Sequence, residues 1–335
     1  MGYNELVKNL NCMIDLHLHL DGAISIDSAK KLADLQNIDI PKDDEELASL
    51  IQVADDCSDL NEFLERFAFP CSLLQTKEGI KMAVLNLANE LKNAGVMYAE
   101  VRYAPQLLCE KGLSQDDVVL ASIEAAKEAP IKINLILCCM RGTGNNEANM
   151  ETARLALKYL NQGVVAIDLA GAEALFPTTD YADIFAFARD SKLPITLHAG
   201  EADGPNSVRK ALEFGAIRIG HGVRSLEDLE LVNELKLKQI PLEICPTSNI
   251  NTAIFSKIED YPIRKLLDAG LFITINTDDP AIEATDIKCE YSKLINAFNF
   301  NKEEIKTFLT NAAKASFADD SLKEAMLKEI EKELS

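Results

Sequence analysis

Four histidines occur in 335 residues, and two of them, His17 and His19, stand two apart in MIDLHLHLDG. In an extended strand alternate side chains share a face, so Met13, Asp15, His17 and His19 point one way and Ile14, Leu16 and Leu18 the other. Two imidazoles in register on one face suit a single divalent cation, and imidazole combined with carboxylate suits zinc. The other histidines lie in LHAGE (His198) and IGHGV (His221), while NTDDP carries Asp278 and Asp279. His198 and Asp278 are the best candidates for third and fourth ligand. Such a set leaves room for a water, whose pKa falls to about 7 on zinc. Spacing leaves open which of Asp278 and Asp279 takes the metal, because neighbours in a strand face opposite sides and strand ends are irregular.

Hydrolysis at such a site needs a proton shuttle that is not itself a ligand. Glu201, three residues past His198, fills that place, since burial beside a metal raises a carboxyl toward a useful range. Taken alone, Glu201 reads as a first-turn carboxylate stabilising the next helix; next to His198 it does not. His221, between Gly220 and Gly222, is placed to orient a hydroxide and stabilise charge developing on it. A lone histidine is usually a satisfied core or surface residue. Four of four at strand ends do not fit that reading.

These residues need a frame that brings distant strand ends together. Short apolar or β-branched runs alternate with helical patterns, the signature of βα units around a parallel sheet. Eight strand candidates can be counted, CMIDLHLHL, VMYAEVRYAP, IKINLILCCMR, VVAIDLAG, PITLHAGE, AIRIGHG, IPLEICPTSN and LFITINTDDP. Eight alternations predict an α/β fold, a single (β/α)8 TIM barrel over residues 1–335, with chemistry at the C-terminal ends of the strands. Ser114 with Asp117, and Ser225 with Asp228, resemble capping boxes. Gly95, Gly163 and Gly215 suit left-handed helix stops. An extra helical insertion follows the first strand, over about 27–75. In it Leu60, Phe63, Leu64 and Phe67 form one apolar face, for which core packing is the default and a lid over the barrel mouth the minority reading. The tail from Asp319 to Ser335 reads as an exposed charged helix.

The apolar fraction of 47% supports a substantial core, and a net charge of −20 disfavours nucleic acid or an anionic membrane as partner. No secretory signal, myristoylation pattern or transmembrane-length apolar run is present. Eight scattered cysteines with no C-x-x-C pair read as reduced thiols of a cytoplasmic protein.

In chain order HLHLDGAI, EVRYAP, ILCCMR, VVAIDLAGAE, LHAGE, RIGHGVRSLED, EICPTSN, INTDDP and NAAKASF run from residue 17 to 317. Together they resemble the adenosine deaminase family, zinc-dependent barrel enzymes of the amidohydrolase type. The resemblance implies one zinc per subunit, held by His17, His19, His198 and Asp278. It implies hydrolytic deamination of adenosine and 2′-deoxyadenosine, with Glu201 protonating the ring nitrogen beside the attacked carbon and His221 and Asp278 orienting the nucleophile. Gly171 is implied to offer its amide to the ring, Asp279 to meet the imidazole edge of the purine, and Asp21 to accept from a ribose hydroxyl, with His19 also at the substrate. The expected partner is therefore a small purine nucleoside. Two departures stand out: Ala172 where the family often has Asp (LAGDE), and Gln106 where many members have His.

Relatives acting on free adenine tend to carry HLEG and DHG; HLDG and GHG here favour a nucleoside. A deaminase of a related adenine compound is the alternative, either free adenine or aminodeoxyfutalosine, which presents a similar adenosine moiety. A multi-metal phosphoesterase also opens with DLHLH but needs more than four histidines. The H-x-E with P-C-x-x-C site of cytidine deaminases is absent. A barrel kept as a binding or structural zinc protein would be expected to lack the catalytic carboxylate, yet Glu201 is present.

Overall fold

The computed structural model describes residues 2–54 and 57–335. All eight expected strands form: β1 (Met13–His19), β2 (Val96–Tyr103), β3 (Lys132–Met140), β4 (Val164–Ala170), β5 (Thr196–Ala199), β6 (Arg218–His221), β7 (Pro241–Ile244) and β8 (Phe272–Ile275). They pair in parallel as β1-β2-β3-β4 and β5-β6-β7-β8. Single bridges join the two sheets, Ile167 to Ile195 on one side and Leu18 to Asp278 on the other. The sheet thus closes on itself as a (β/α)8 barrel, with helices outside.

The strands are buried on both faces, which is why they read as near-continuous apolar runs. β1 and β4 are buried throughout. Leu16 and Leu18 belong to the main hydrophobic core, whereas Asp15, His17 and His19 share the other face.

Helix ends follow local chemistry. The capping box at Ser114 and Asp117 is present, and Gly215 closes the helix Pro205–Phe214 at φ 98°. Four details differ from expectation, the first being that Gly163 does not close a helix, because the helix before it ends at Lys158. Asp228, not Ser225, caps the helix Leu229–Lys238, because residues 223–227 form a 3-10 turn that carries Ser225 past the cap position. PTSN is not strand: Pro246 opens a short helix, Pro246–Asn251. The tail helix Asp320–Glu333 is amphipathic rather than exposed, with Met326, Ile330 and Leu334 buried.

The insertion after β1 is a string of short helices, including Leu60–Leu64 and Ala68–Ser72; residues 55 and 56 of it lie outside the described residues. Leu60 and Phe63 form a small cluster with Ile282, flanked by Leu64, Phe67 and Ala202, apart from the main core. No helix among the described residues is long and apolar enough to cross a membrane.

Candidate functional site

The C-terminal ends of the strands surround one cavity, lined by His19, Asp21, Gly171, His198, Glu201, His221, Asp278 and Asp279, with Leu60, Phe63, Leu64 and Phe67 as an apolar wall. Of the sequence-predicted residues only His17 lies below the lining; it is fully buried beneath the others.

His17 Nε2 stands 3.0 Å from His198 Nε2, and His19 Nε2 stands 3.3 Å from the same atom. Asp278 Oδ1 lies 3.2 Å from His17 Nε2 and 3.3 Å from His19 Nε2. Four tetrahedral ligands at about 2.0–2.1 Å from zinc are separated by about 3.3 Å. The spacing fits. The far nitrogens give a second reason. His17 Nδ1 meets Glu243 Oε2 at 2.7 Å, and His198 Nδ1 meets Asp168 Oδ2 at 2.9 Å. Each Nδ1 therefore donates to a carboxylate, which leaves the Nε2 lone pairs facing one another. Lone pairs that converge at 3 Å in a buried site repel unless a cation lies between them. Burial also pushes His198 down to about 4, so its imidazole is neutral and free to ligate at neutral pH. These four side chains form a potential metal site.

Asp278 is brought to this cluster by its backbone. Its N–H donates to His17 C=O, and its C=O accepts from His19 N–H, both at 2.8 Å. Its φ of 72° puts it in the left-handed region, a strain typical of functional sites. That turn aims the Asp278 carboxylate at the histidines and Asp279 elsewhere, against Gly22. A Cβ on Gly22 would come within 1.7 Å of Asp279 Oδ1, so only glycine admits Asp279 there. Gly220 is similarly placed: a Cβ would lie 3.1 Å from His17 Cε1 and from His198 Cα.

Cys245 also approaches His17, His221 and Asp278, but burial pushes its thiol well up and its Sγ donates to the Glu243 carbonyl at 3.4 Å. It is a thiol and a poor ligand.

His221, also at positive φ (58°), is oriented by Asn249, whose Nδ2 lies 3.2 Å from His221 Nδ1. Tyr261 OH donates to Asn249 Oδ1 at 2.8 Å. With its oxygen engaged, the amide turns its NH2 to His221, so Nδ1 accepts and the ring proton sits on Nε2. That nitrogen faces Asp278 Oδ2 at 3.5 Å and Glu201 Oε2 at 3.7 Å. Glu201 is driven well above the ordinary carboxyl range, first by burial and then by the charges of Asp278 and Glu173. That shift favours the protonated carboxyl. Asp279 is pushed up likewise, by burial and then by Asp278. Two carboxyl oxygens at the cavity, Asp21 Oδ1 and Asp279 Oδ1, are buried without a hydrogen-bond partner among the described residues. Unpartnered polar atoms in a cavity mark where a ligand's polar atoms belong.

Sequence reasoning missed the charges beneath this site. Arg102 donates to Asp168 at 2.7 Å and to Glu243 at 2.8 Å, the two carboxylates that hold His198 and His17. Arg218 joins Glu243 to Glu100. Against burial, which would raise it, Arg102 and Arg218 hold Glu243 well below the ordinary range. The signal was present as charged residues inside EVR, IDL and LEI, otherwise apolar strand runs.

The family profile for adenosine deaminase matches residues 13–333. An adenosine deaminase of Haemophilus ducreyi is 44% identical over 95% of each chain. One of Clostridium acetobutylicum is 36% identical over 99% of this chain and 100% of its own. Among solved structures, an adenine deaminase from Arthrobacter aurescens superposes with a TM-score of 0.86 at 26% identity, covering 95% of this chain and 98% of its own. The N6-methyl-AMP deaminase of Arabidopsis thaliana superposes at 0.83 and 26% identity, covering 98% of each. With a profile spanning nearly every residue and relatives alike from end to end, this chain belongs to the adenosine deaminase family.

Proposed function

We propose that the protein hydrolyses adenosine and 2′-deoxyadenosine to inosine and 2′-deoxyinosine, releasing ammonia, with one zinc per subunit held by His17, His19, His198 and Asp278. The observation that carries this reading is the convergence of three histidine Nε2 atoms and the Asp278 carboxylate beside the buried carboxyl of Glu201. A zinc held there would supply a nucleophile at neutral pH, since the pKa of a water on zinc falls to about 7.

The chain's own residues do the rest. Glu201 donates its proton to the ring nitrogen next to the carbon that bears the amino group, making that carbon more electrophilic. His221 directs Nε2–H toward Asp278 and the incoming oxygen, and offsets negative charge as it develops. The imidazole edge of adenine presents N7, an acceptor, and Asp279, protonated by its surroundings, donates to it. Gly171 supplies its amide to the other side of the ring, and Asp21 accepts from a ribose hydroxyl. Leu60, Phe63, Leu64 and Phe67 cover the base and exclude water as a lid on the single barrel domain. The eight free cysteines suit a reducing, cytoplasmic setting in purine metabolism.

Loss of the adenine chromophore, followed across adenosine, 2′-deoxyadenosine, adenine, adenosine monophosphate and aminodeoxyfutalosine, tests the reading. The two nucleosides should be the best substrates; fast turnover of adenine alone would sink it. Glu201→Gln should keep its zinc and lose about 10²–10⁴-fold in rate.

A further inference from the structure

Glu201 sits in a loop, residues 200–204, between β5 and the helix Pro205–Phe214. Its carboxyl is not fixed by a strong side-chain contact: His221 Nε2 stands 3.7 Å away, beyond hydrogen-bond length. What fixes the loop is one buried carboxylate from the end of β4. Glu173, 1% exposed, accepts from Gly200 N at 2.8 Å through Oε1. Its Oε2 accepts from Glu201 N at 3.0 Å, Ala202 N at 2.8 Å and Asp203 N at 2.9 Å. Ser207 Oγ adds a fifth donor, at 2.5 Å from Oε1.

The donors behind it are ordered in one direction. Arg141 Nη2 donates to His198 C=O at 2.7 Å and to Thr178 Oγ1 at 3.1 Å. Thr178 Oγ1 lies 2.7 Å from Ser207 Oγ, and because the Ser207 proton goes to Glu173, Thr178 is the donor there. The chain therefore ties the backbone of a metal-ligand candidate, His198, to the loop that carries Glu201.

We propose that Glu173 is a positioning residue for Glu201: by gathering four successive loop amides it holds the Glu201 backbone where the carboxyl meets the purine ring. The inference rests on the reading of Glu201 as proton donor. Glutamine cannot replace Glu173. One of its two heads would be an NH2 pointing at N–H donors, so either the three amides at Oε2 or the Gly200–Ser207 pair would lose their acceptor. The loop must then shift, and a 1 Å misplacement of a reacting group costs on the order of 10²-fold.

The test is a double-mutant cycle on the zinc-loaded enzyme with adenosine. Glu173→Gln should lower kcat by about 10²-fold with KM changed by less than about threefold and zinc content intact. In the Glu201→Gln background the same substitution should cost nothing further. Additive loss in that background, or a kcat within about threefold of wild type, overturns the inference. If Glu173→Gln does not fold, Ser207→Ala, which leaves all four amide bonds, reads the same cycle. Its smaller loss must also vanish in the Glu201→Gln background, and persistence there overturns the inference. Near-wild-type activity of Glu201→Gln alone would instead overturn the reading of Glu201, and with it this role for Glu173.

Discussion

Replacing Asp21 with alanine tests the ribose contact proposed for it. Asp21 is 5% exposed; its Oδ2 has the Cys71 thiol at 3.6 Å, and its Oδ1 has no partner. The free protein thus leaves an acceptor unsatisfied, and a ribose hydroxyl would satisfy it. A hydrogen bond to a charged group contributes about 1.5–3 kcal/mol, which at 1.4 kcal/mol per tenfold is roughly 10- to 150-fold in kcat/KM. Burial pushes the Asp21 carboxyl above its ordinary range, partly offset by His19. At low pH the contact is therefore neutral and contributes about 0.5–1.5 kcal/mol, so the effect should grow as pH rises. The assay compares adenosine with its 2′-, 3′- and 5′-deoxy analogues by ultraviolet absorbance, in wild type and Asp21→Ala. One deletion, at the 3′ or 5′ position because 2′-deoxyadenosine is an expected substrate, should be costly in wild type and free in the variant. Equal penalties in both proteins, for all three analogues, would refute the contact.

Three further outcomes follow from the buried charges. Native Glu201 holds a proton that the unfolded chain releases above about pH 4.3, so wild-type stability declines as pH rises from there. In metal-free protein, the melting-temperature advantage of Glu201→Gln should therefore widen between about pH 5 and pH 8; a constant difference contradicts the shift. Arg102→Met strands Asp168 and Glu243, which should cost about 3–5 kcal/mol by denaturant titration. The same variant should weaken zinc binding about 10- to 100-fold in chelator competition, and unchanged affinity in a folded variant would separate Arg102 from the metal site. Asn249→Asp should move the His221 proton from Nε2 to Nδ1, visible in 15N spectra of the imidazole, with activity lowered by about 10²-fold or more. An unmoved tautomer would show that Asn249 does not set it.

Much of this was legible in the chain because it is local. Alternation in MIDLHLHLDG puts His17 and His19 on one face, since strand geometry is a property of the backbone. Apolar runs alternating with helical patterns imply a barrel, and a barrel places strand ends together. The structure brings every sequence-predicted site residue to that rim or directly beneath it. The apolar face of Leu60, Phe63, Leu64 and Phe67 both packs, with Leu60 and Phe63 buried against Ile282, and borders the cavity. Periodicity shows that an apolar face exists but not what it faces, and here it faces the cavity.

What spacing determined, then, was the inventory: four imidazoles, a carboxylate pair and Glu201 at strand ends. Tertiary structure decided the assignments. Asp278 rather than Asp279 turns to the histidines because its backbone pairs with β1 in a left-handed conformation, which no dipeptide dictates. The tautomers of His17, His198 and His221 are set by Glu243, Asp168 and Asn249, partners 28 to 226 residues away in sequence. A proton's position on an imidazole depends on the atom facing the other nitrogen, and only the closed barrel supplies that atom.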